Sequence, residues 1–341
     1  MWNHWKVLTG ITRPSSLIFH PSKRYLYAIN EISNFAGPNT VGSATSMAVD
    51  SATGDLRIMN VVSSGGAGPA HVGIDPEGRW LFAANYGGGS VAVLPILADG
   101  SLGPAADVQM LTGPLGPQPA WDAPPGSFAI SGHDRTHAHQ AEMDPAGNFL
   151  FVPDLGTDRI FIFALDKQTG KLTPGSQPFL QASPAAGPRH ISFHPNKRWC
   201  YAINEEASTM LLMDYNESQG TLQIRQSVST LPEGYVGTNY TSEIHVSSDG
   251  RFVYGLNRLH DSLVVFEINP DGWMIRVGET LTQGDYPRHF DFEPNGNFCY
   301  VLNQRSDHIA IFRLDRMTGM VQFTNQFVPV GNPSKIVFLT L

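Results

Sequence analysis

One pattern recurs six times along the 341 residues, as "HPSKRYLYAINE", "DPEGRWLFAANY", "DPAGNFLFVPDL", "HPNKRWCYAINE", "SSDGRFVYGLNR" and "EPNGNFCYVLNQ". Each copy has a polar turn, an aromatic-x-aromatic pair and a closing Asn or Asp. The closing residues are Asn30, Asn85, Asp154, Asn204, Asn257 and Asn303, at spacings of 55, 69, 50, 53 and 46 residues. After the copies come third strands such as "SVAVLPIL", "RIFIFALD", "TMLLMDYN", "SLVVFEIN" and "HIAIFRLD", then a Gly-containing turn and a weaker fourth strand. Period-two alternation and aromatic or β-branched content predict strands throughout, and no segment carries a helical period. Units of four antiparallel strands at this spacing cannot bury their faces alone and stack on one another, which is the signature of a β-propeller.

The expectation is therefore an all-β chain, residues 1–341 as a single β-propeller domain of seven four-stranded blades. Six units are complete. The seventh is split between the termini and incomplete: "GNPSKIVFLTL" supplies a first strand, "HWKVLTG" a last one, and the two middle strands are missing.

Composition narrows the partners. The chain is 41% hydrophobic and 15% charged, with a formal net charge of −8 and no run of Lys or Arg. A nucleic-acid partner, which needs clustered cations, is not expected. No apolar run reaches the ~20 residues of a membrane span, and the N-terminus has no signal-like apolar segment, so a cytoplasmic protein without a membrane partner is expected. The two cysteines, Cys200 and Cys299, fall in predicted strands and read as buried apolar residues.

In a propeller the first strand of each blade lines the central channel. Counting back five residues from the turn residue before Pro, or its equivalent, gives Ser15, Ala70, His139, Arg189, Ser242 and Arg288. The next position gives Ser16, His71, Gln140, His190, Glu243 and His289. A third column follows the closing Asn or Asp: Glu31, Tyr86, Leu155, Glu205, Arg258 and Gln304. The aromatic columns are uniform and read as packing. These polar columns change from blade to blade, which suits a shared pocket. The plainer alternative is that strand-end polar groups satisfy loop backbone. Three arginines and a carboxylate at corresponding positions favour an anionic small ligand.

"AANYGGGSVAVLPILADGSL", "VPDLGTDRIFIFALD", "GPRHISFHPNKRWCYAINEEAST" and "SEIHVSSDGRFVYGLNRLHDSLVVFEI" resemble the lactonase family of seven-bladed propellers, which includes propeller-type 6-phosphogluconolactonases and carboxymuconate cyclases. The resemblance runs from about Pro14 to Leu341; the family's N-terminal strands have no counterpart here. It implies a catalytic set of His139, Arg189, Glu205 and Arg258, matched in "HAHQAEMDP", "GPRH", "AINEE" and "LNRLHDS". His71, His190, Glu243, Arg288 and His289 are then candidate substrate-binding residues. The implied activity is hydrolysis of an anionic sugar lactone such as 6-phosphogluconolactone, with Glu205 as base and His139 its rival. Cyclase-type lactonisation and a non-catalytic binding propeller are the alternatives.

Other features carry less. His137-x-His139 places two imidazoles on one strand face without a compact set of further ligands, so no metal and no other cofactor is expected. "YGGGS" lacks the following helix of a phosphate loop and reads as a turn. The Pro/Gly-rich insertion Gly113–His139 accounts for the 69-residue spacing and is a candidate rim over the pocket, His133, Asp134 and Arg135 included. No G-x-S-x-G is present, which argues against an acyl-enzyme.

Overall fold

A computed structural model describes residues 6–35, 37, 41–118, 123–127 and 132–340. Six four-stranded antiparallel sheets follow one another along the chain. The first contains β1–β4 (Pro14–Phe19, Tyr25–Asn30, Ser43–Val49, Leu56–Ser63) and the second β5–β8 (Pro69–Ile74, Trp80–Asn85, Ser90–Pro95, Asp107–Met110). The third contains β9–β12 (Glu142–Met143, Phe149–Asp154, Arg159–Leu165, Leu172–Gln181). The fourth contains β13–β16 (Pro188–Phe193, Trp199–Asn204, Thr209–Asn216, Thr221–Ser229). The fifth contains β17–β20 (Thr241–Val246, Phe252–Asn257, Ser262–Ile268, Met274–Leu281) and the sixth β21–β24 (Pro287–Phe292, Phe298–Asn303, His308–Leu314, Val321–Pro329). Each sheet is a meander paired in sequence order. The only helical turn among the described residues is the 3₁₀ turn Gln304–Ser306.

The chain groups into two compact units: Met1–Leu115 with Arg135–Phe179 and Leu339–Leu341, and Gly116–Asp134 with Leu180–Phe338. Within each, adjacent sheets share cores built from the uniform columns. In the second unit Trp199, Tyr201 and Ile203 pack with Ile244, Val253 and Phe266, and Phe252, Tyr254 and Leu256 pack with Phe290, Val301 and Phe312. In the first unit Trp80 and Phe82 pack with Leu150, Val152 and Phe163. Both cysteines are buried.

Two recurrent polar residues are structural. The turn histidine reaches the turn of the next sheet: His20 Nε2 donates to Gly78 O (3.0 Å) and His194 Nε2 to Gly250 O (2.9 Å). The closing Asn holds the end of its hairpin. Asn30 Nδ2 donates to Ser43 Oγ and Thr45 Oγ1, and Asn204 Nδ2 to Thr209 Oγ1. Asn257 uses every site it has: Nδ2 donates to Thr230 O and Ser262 Oγ, while Oδ1 accepts from Thr230 Oγ1 and Asn239 Nδ2.

Five of the six first strands, all but β9, share a β-bulge. Pro188 pairs with Asn204 and His190 with Ile203, leaving Arg189 as the extra residue. The same shift occurs between Pro14 and Ser16, Pro69 and His71, Thr241 and Ile244, and Pro287 and His289. A bulge re-aims the side chain of its extra residue. It falls on the first polar column in each of these strands, and in β17 it takes in Glu243 as well.

Among the described residues the split seventh blade does not form a sheet. His4 and Trp5 of "HWKVLTG" lie outside the described residues; residues 6–10 and 332–340 carry no strand pairing. A ladder needs a partner strand, and among the described residues neither segment is laddered to one. Instead Ile336 and Phe338 pack against Tyr300, Leu302, Ile309 and Ile311 of the sixth sheet, while Lys6 pairs with Asp55 at 3.1 Å.

Asn257→Ala should destabilise the protein by about 3 kcal/mol, because it orphans several buried partners at once. Urea unfolding measures this; a loss under about 1 kcal/mol would remove the structural role assigned to the recurrent Asn.

Candidate active site

Glu205 follows β14 and Arg258 follows β18, at the same place in their hairpins; Arg189 stands in the bulge of β13. Their side chains meet. Arg189 Nε lies 2.7 Å from Glu205 Oε2, and Arg258 Nη2 lies 2.6 Å from Glu205 Oε1. The carboxylate is thus gripped on both oxygens by different guanidiniums. Backbone fixes its position: Glu205 N donates to Gly187 O (2.7 Å), and Glu205 O accepts from Thr241 N (3.0 Å).

The arginines are anchored in turn. Arg189 Nη1 donates to the carbonyl of Ser242. Arg258 Nη1 donates to Tyr286 Oη at 3.2 Å, with its guanidinium carbon 5.1 Å from the Tyr286 ring and 5.6 Å from that of Tyr240. The polar columns of the sequence do not include these tyrosines. Each stands two residues before the first polar column ("NYTS", "DYPR"), a signal visible in two repeats only.

Burial shapes the charges. It pulls Arg189 down to about 10, against the attraction of Glu205, and the positive charges of Arg258 and Arg288 push the same way. Arg189 stays a cation at neutral pH. For Glu205 burial raises the pKa, but Arg258 and Arg189 outweigh it, so the carboxyl lies below its usual 4.5 and is ionised.

Behind Arg189 lies a second buried group. His190 Nδ1 is 2.7 Å from Glu243 Oε1, His289 Nε2 is 3.3 Å from Glu243 Oε2, and Lys335 Nζ is 3.8 Å from the same oxygen. Arg189 Nη1 and His190 Nε2, 3.4 Å apart, connect the two groups. Arg288, half-buried on β21, contributes its charge to Arg189.

The structure brings Arg189, Glu205 and Arg258 into one contact set, with His190, Glu243 and His289 adjoining. His139 and His71 belong to the other compact unit. There the His139 ring stands edge-on to Tyr86 at 5.5 Å, and its backbone N donates to Pro153 O. His71 Nδ1 accepts from Ala141 N at 3.4 Å. His137 is stacked on Tyr86 at 4.2 Å, with Nδ1 3.0 Å from Tyr86 O, so it is already engaged by protein. "YGGGS" forms the β6–β7 turn, as expected. Within the insertion, His133 Nδ1 pairs with Glu206 Oε2 at 3.1 Å, both side chains buried.

The lactonase family model, "Lactonase, 7-bladed beta-propeller", matches residues 3–338. The chain belongs to the lactonase family of seven-bladed β-propellers. Among lactonases it is 31% identical to the 6-phosphogluconolactonase of Bacillus subtilis, over 98% of this chain and 89% of that one. It is 30% identical to the 6-phosphogluconolactonase of Serratia proteamaculans, over 94% and 86%. The solved periplasmic gluconolactonase of Pseudomonas aeruginosa superposes with a TM-score of 0.86 at 33% identity, covering 98% of this chain and 90% of that one. The six sheets are thus propeller blades, six of them four-stranded among the described residues of a chain whose family has seven. No helix among the described residues is long and apolar enough to cross a membrane.

Removing one member of a buried ion cluster strands the others. Glu205→Ala should cost roughly 3–5 kcal/mol near pH 7. Because Glu205 titrates lower folded than unfolded, its stabilisation is complete above about pH 4.5 and fades as pH falls through the depressed value. The gap between wild type and Glu205→Ala should therefore close in acid. A gap that stays constant in denaturant unfolding from pH 7 to pH 3 would show that the carboxylate charge is not its source.

Proposed function

We propose that the chain is a lactonase acting on an anionic sugar lactone, with 6-phosphogluconolactone the preferred substrate, and that Arg189, Glu205 and Arg258 act in its catalysis. The observation that carries the reading is the buried Arg189–Glu205–Arg258 cluster. It holds two cations to one carboxylate, with the charge of Arg288 felt nearby. Such a surplus of buried positive charge favours a negative ligand. Relatives spanning most of the chain are named 6-phosphogluconolactonases, which supports the phosphorylated substrate.

In this reading the base takes a proton from water as its oxygen attacks the lactone carbonyl carbon. The carbonyl oxygen becomes an oxyanion stabilised by an arginine. The ring C–O bond then breaks, and the departing ring oxygen takes the proton to give the open hydroxy acid. Glu205 is assigned as base and His139, on its repeat position alone, as the rival. With a guanidinium on each oxygen, Glu205 is a weak base at rest. An arginine that turns to the substrate's negative charge would free one oxygen and raise its basicity. Arg288 and His190 are the candidate contacts for the phosphate; Glu243 and His289 back His190.

Purified protein should consume 6-phosphogluconolactone well above the spontaneous rate, and faster than glucono-lactone or a muconolactone. Preference for muconolactone would favour the cyclase alternative, and turnover of none of them would favour a binding propeller. Glu205→Gln should lower kcat by ~100-fold with little change in KM. Arg258→Lys, which keeps charge but loses the planar fork, should also be costly. With Glu205 as base, the acid limb of the rate profile lies below the ordinary carboxylate range. Near wild-type rates for Glu205→Gln beside a collapsed His139→Asn would transfer the base role.

A further inference from the structure

We propose that Glu243, His245 and His289 form a binding site for a first-row divalent metal ion of the zinc class. Glu243 and His245 stand two apart on β17, within and just beyond its bulge, and His289 stands on β21. One ligand atom from each lies within 4.8 Å of the others. Two ligands at ~2.1 Å from a tetrahedral ion are ~3.4 Å apart. Glu243 Oε2 and His289 Nε2 are 3.3 Å apart, so only the His245 ring has to close in.

The nitrogens point to a ligand. Among the described residues no group hydrogen-bonds His289 Nδ1 or His245 Nε2, and His289 Nε2 lies 3.3 Å from Glu243 Oε2 without an aligned hydrogen bond, although these atoms are buried. His289 is 1% exposed. Leaving buried ring nitrogens unsatisfied costs stability, and a metal ion takes up an imidazole lone pair.

Further residues complete the chemistry. His190 holds the other carboxylate oxygen at 2.7 Å, the kind of outer partner that orients a metal ligand. His245 also lines a cleft with Asp291, Phe292 and Tyr254, which gives an ion a way in. Lys335 Nζ, at 3.8 Å from Glu243 Oε2, is a competitor: a divalent ion and the ammonium contend for one oxygen. Two imidazoles and one carboxylate suit zinc, and cobalt as its spectroscopic substitute, better than calcium or magnesium. An ion here would clamp β17 to β21, independently of the lactonase reading.

The test uses the full chain, stripped with chelator and titrated with Zn²⁺ by calorimetry and with Co²⁺ by visible absorption. One ion per chain should bind, with the intense bands of low-coordinate Co²⁺ and a melting temperature that rises with Zn²⁺. His245→Gln and His289→Gln should each weaken binding at least ~100-fold, beyond what loss of an outer partner costs. Lys335→Met should tighten it. Wild-type protein that binds no Zn²⁺ would overturn the proposal whatever the variants do. So would binding that survives both histidine substitutions, or that is lost with His137→Gln instead.

Discussion

A carboxylate between two guanidiniums, buried at the ends of neighbouring blades, is the interaction on which this site depends. Glu205 cannot be ionised there without Arg189 and Arg258, and the arginines would repel each other without Glu205. The blade architecture supplies what holds them. A bulge turns Arg189 inward. The Glu205 main chain is tied to Gly187 on one side and Thr241 on the other, and Tyr286 and Tyr240 shelter Arg258. A buried ion cluster contributes little net stability compared with well-packed apolar groups, so its presence at these positions favours a role in ligand chemistry over one in folding.

The repeats divide their labour by column. Aromatic pairs fill the cores between sheets, the turn histidine latches onto the next turn, and the closing Asn satisfies the backbone and hydroxyl groups of its hairpin. Positions with these duties recur because each blade meets the same physical demand. Positions just before and after them are released from that demand. There the chain places Arg, Glu and His differently in each blade, so one scaffold can hold different chemistries.

Seen along the first strands of the second unit, the site has depth. The arginine cluster lies at the strand starts and hairpin ends; His190, Glu243 and His289 form the next row, and His245 stands one step further in. Arg189 joins the first two levels through His190. Burial acts differently by group: Arg189 remains a cation, Glu205 is held ionised by the arginines, and His190 and His289 are pushed below the ordinary imidazole range.

The sequence by itself determined the blades: the all-β class, the four-stranded unit, the residues that begin and end its strands, and which columns vary. Such features are local, set by alternation, turn chemistry and repetition, and Arg189, Glu205 and Arg258 emerged from them by register alone. Only the tertiary structure decided what the columns do together. The bulge breaks period-two alternation at Arg189, so no strand pattern could show that Arg189 and His190 reach the adjoining buried groups of Glu205 and Glu243. Tyr286, Lys335 and His245 join through contacts between separate segments, which spacing does not encode. The terminal segments read as strands by composition, yet among the described residues 332–340 carries no strand pairing, and Ile336 and Phe338 pack on the sixth blade. A strand is completed by its neighbour's hydrogen bonds, and those belong to the fold rather than to the segment.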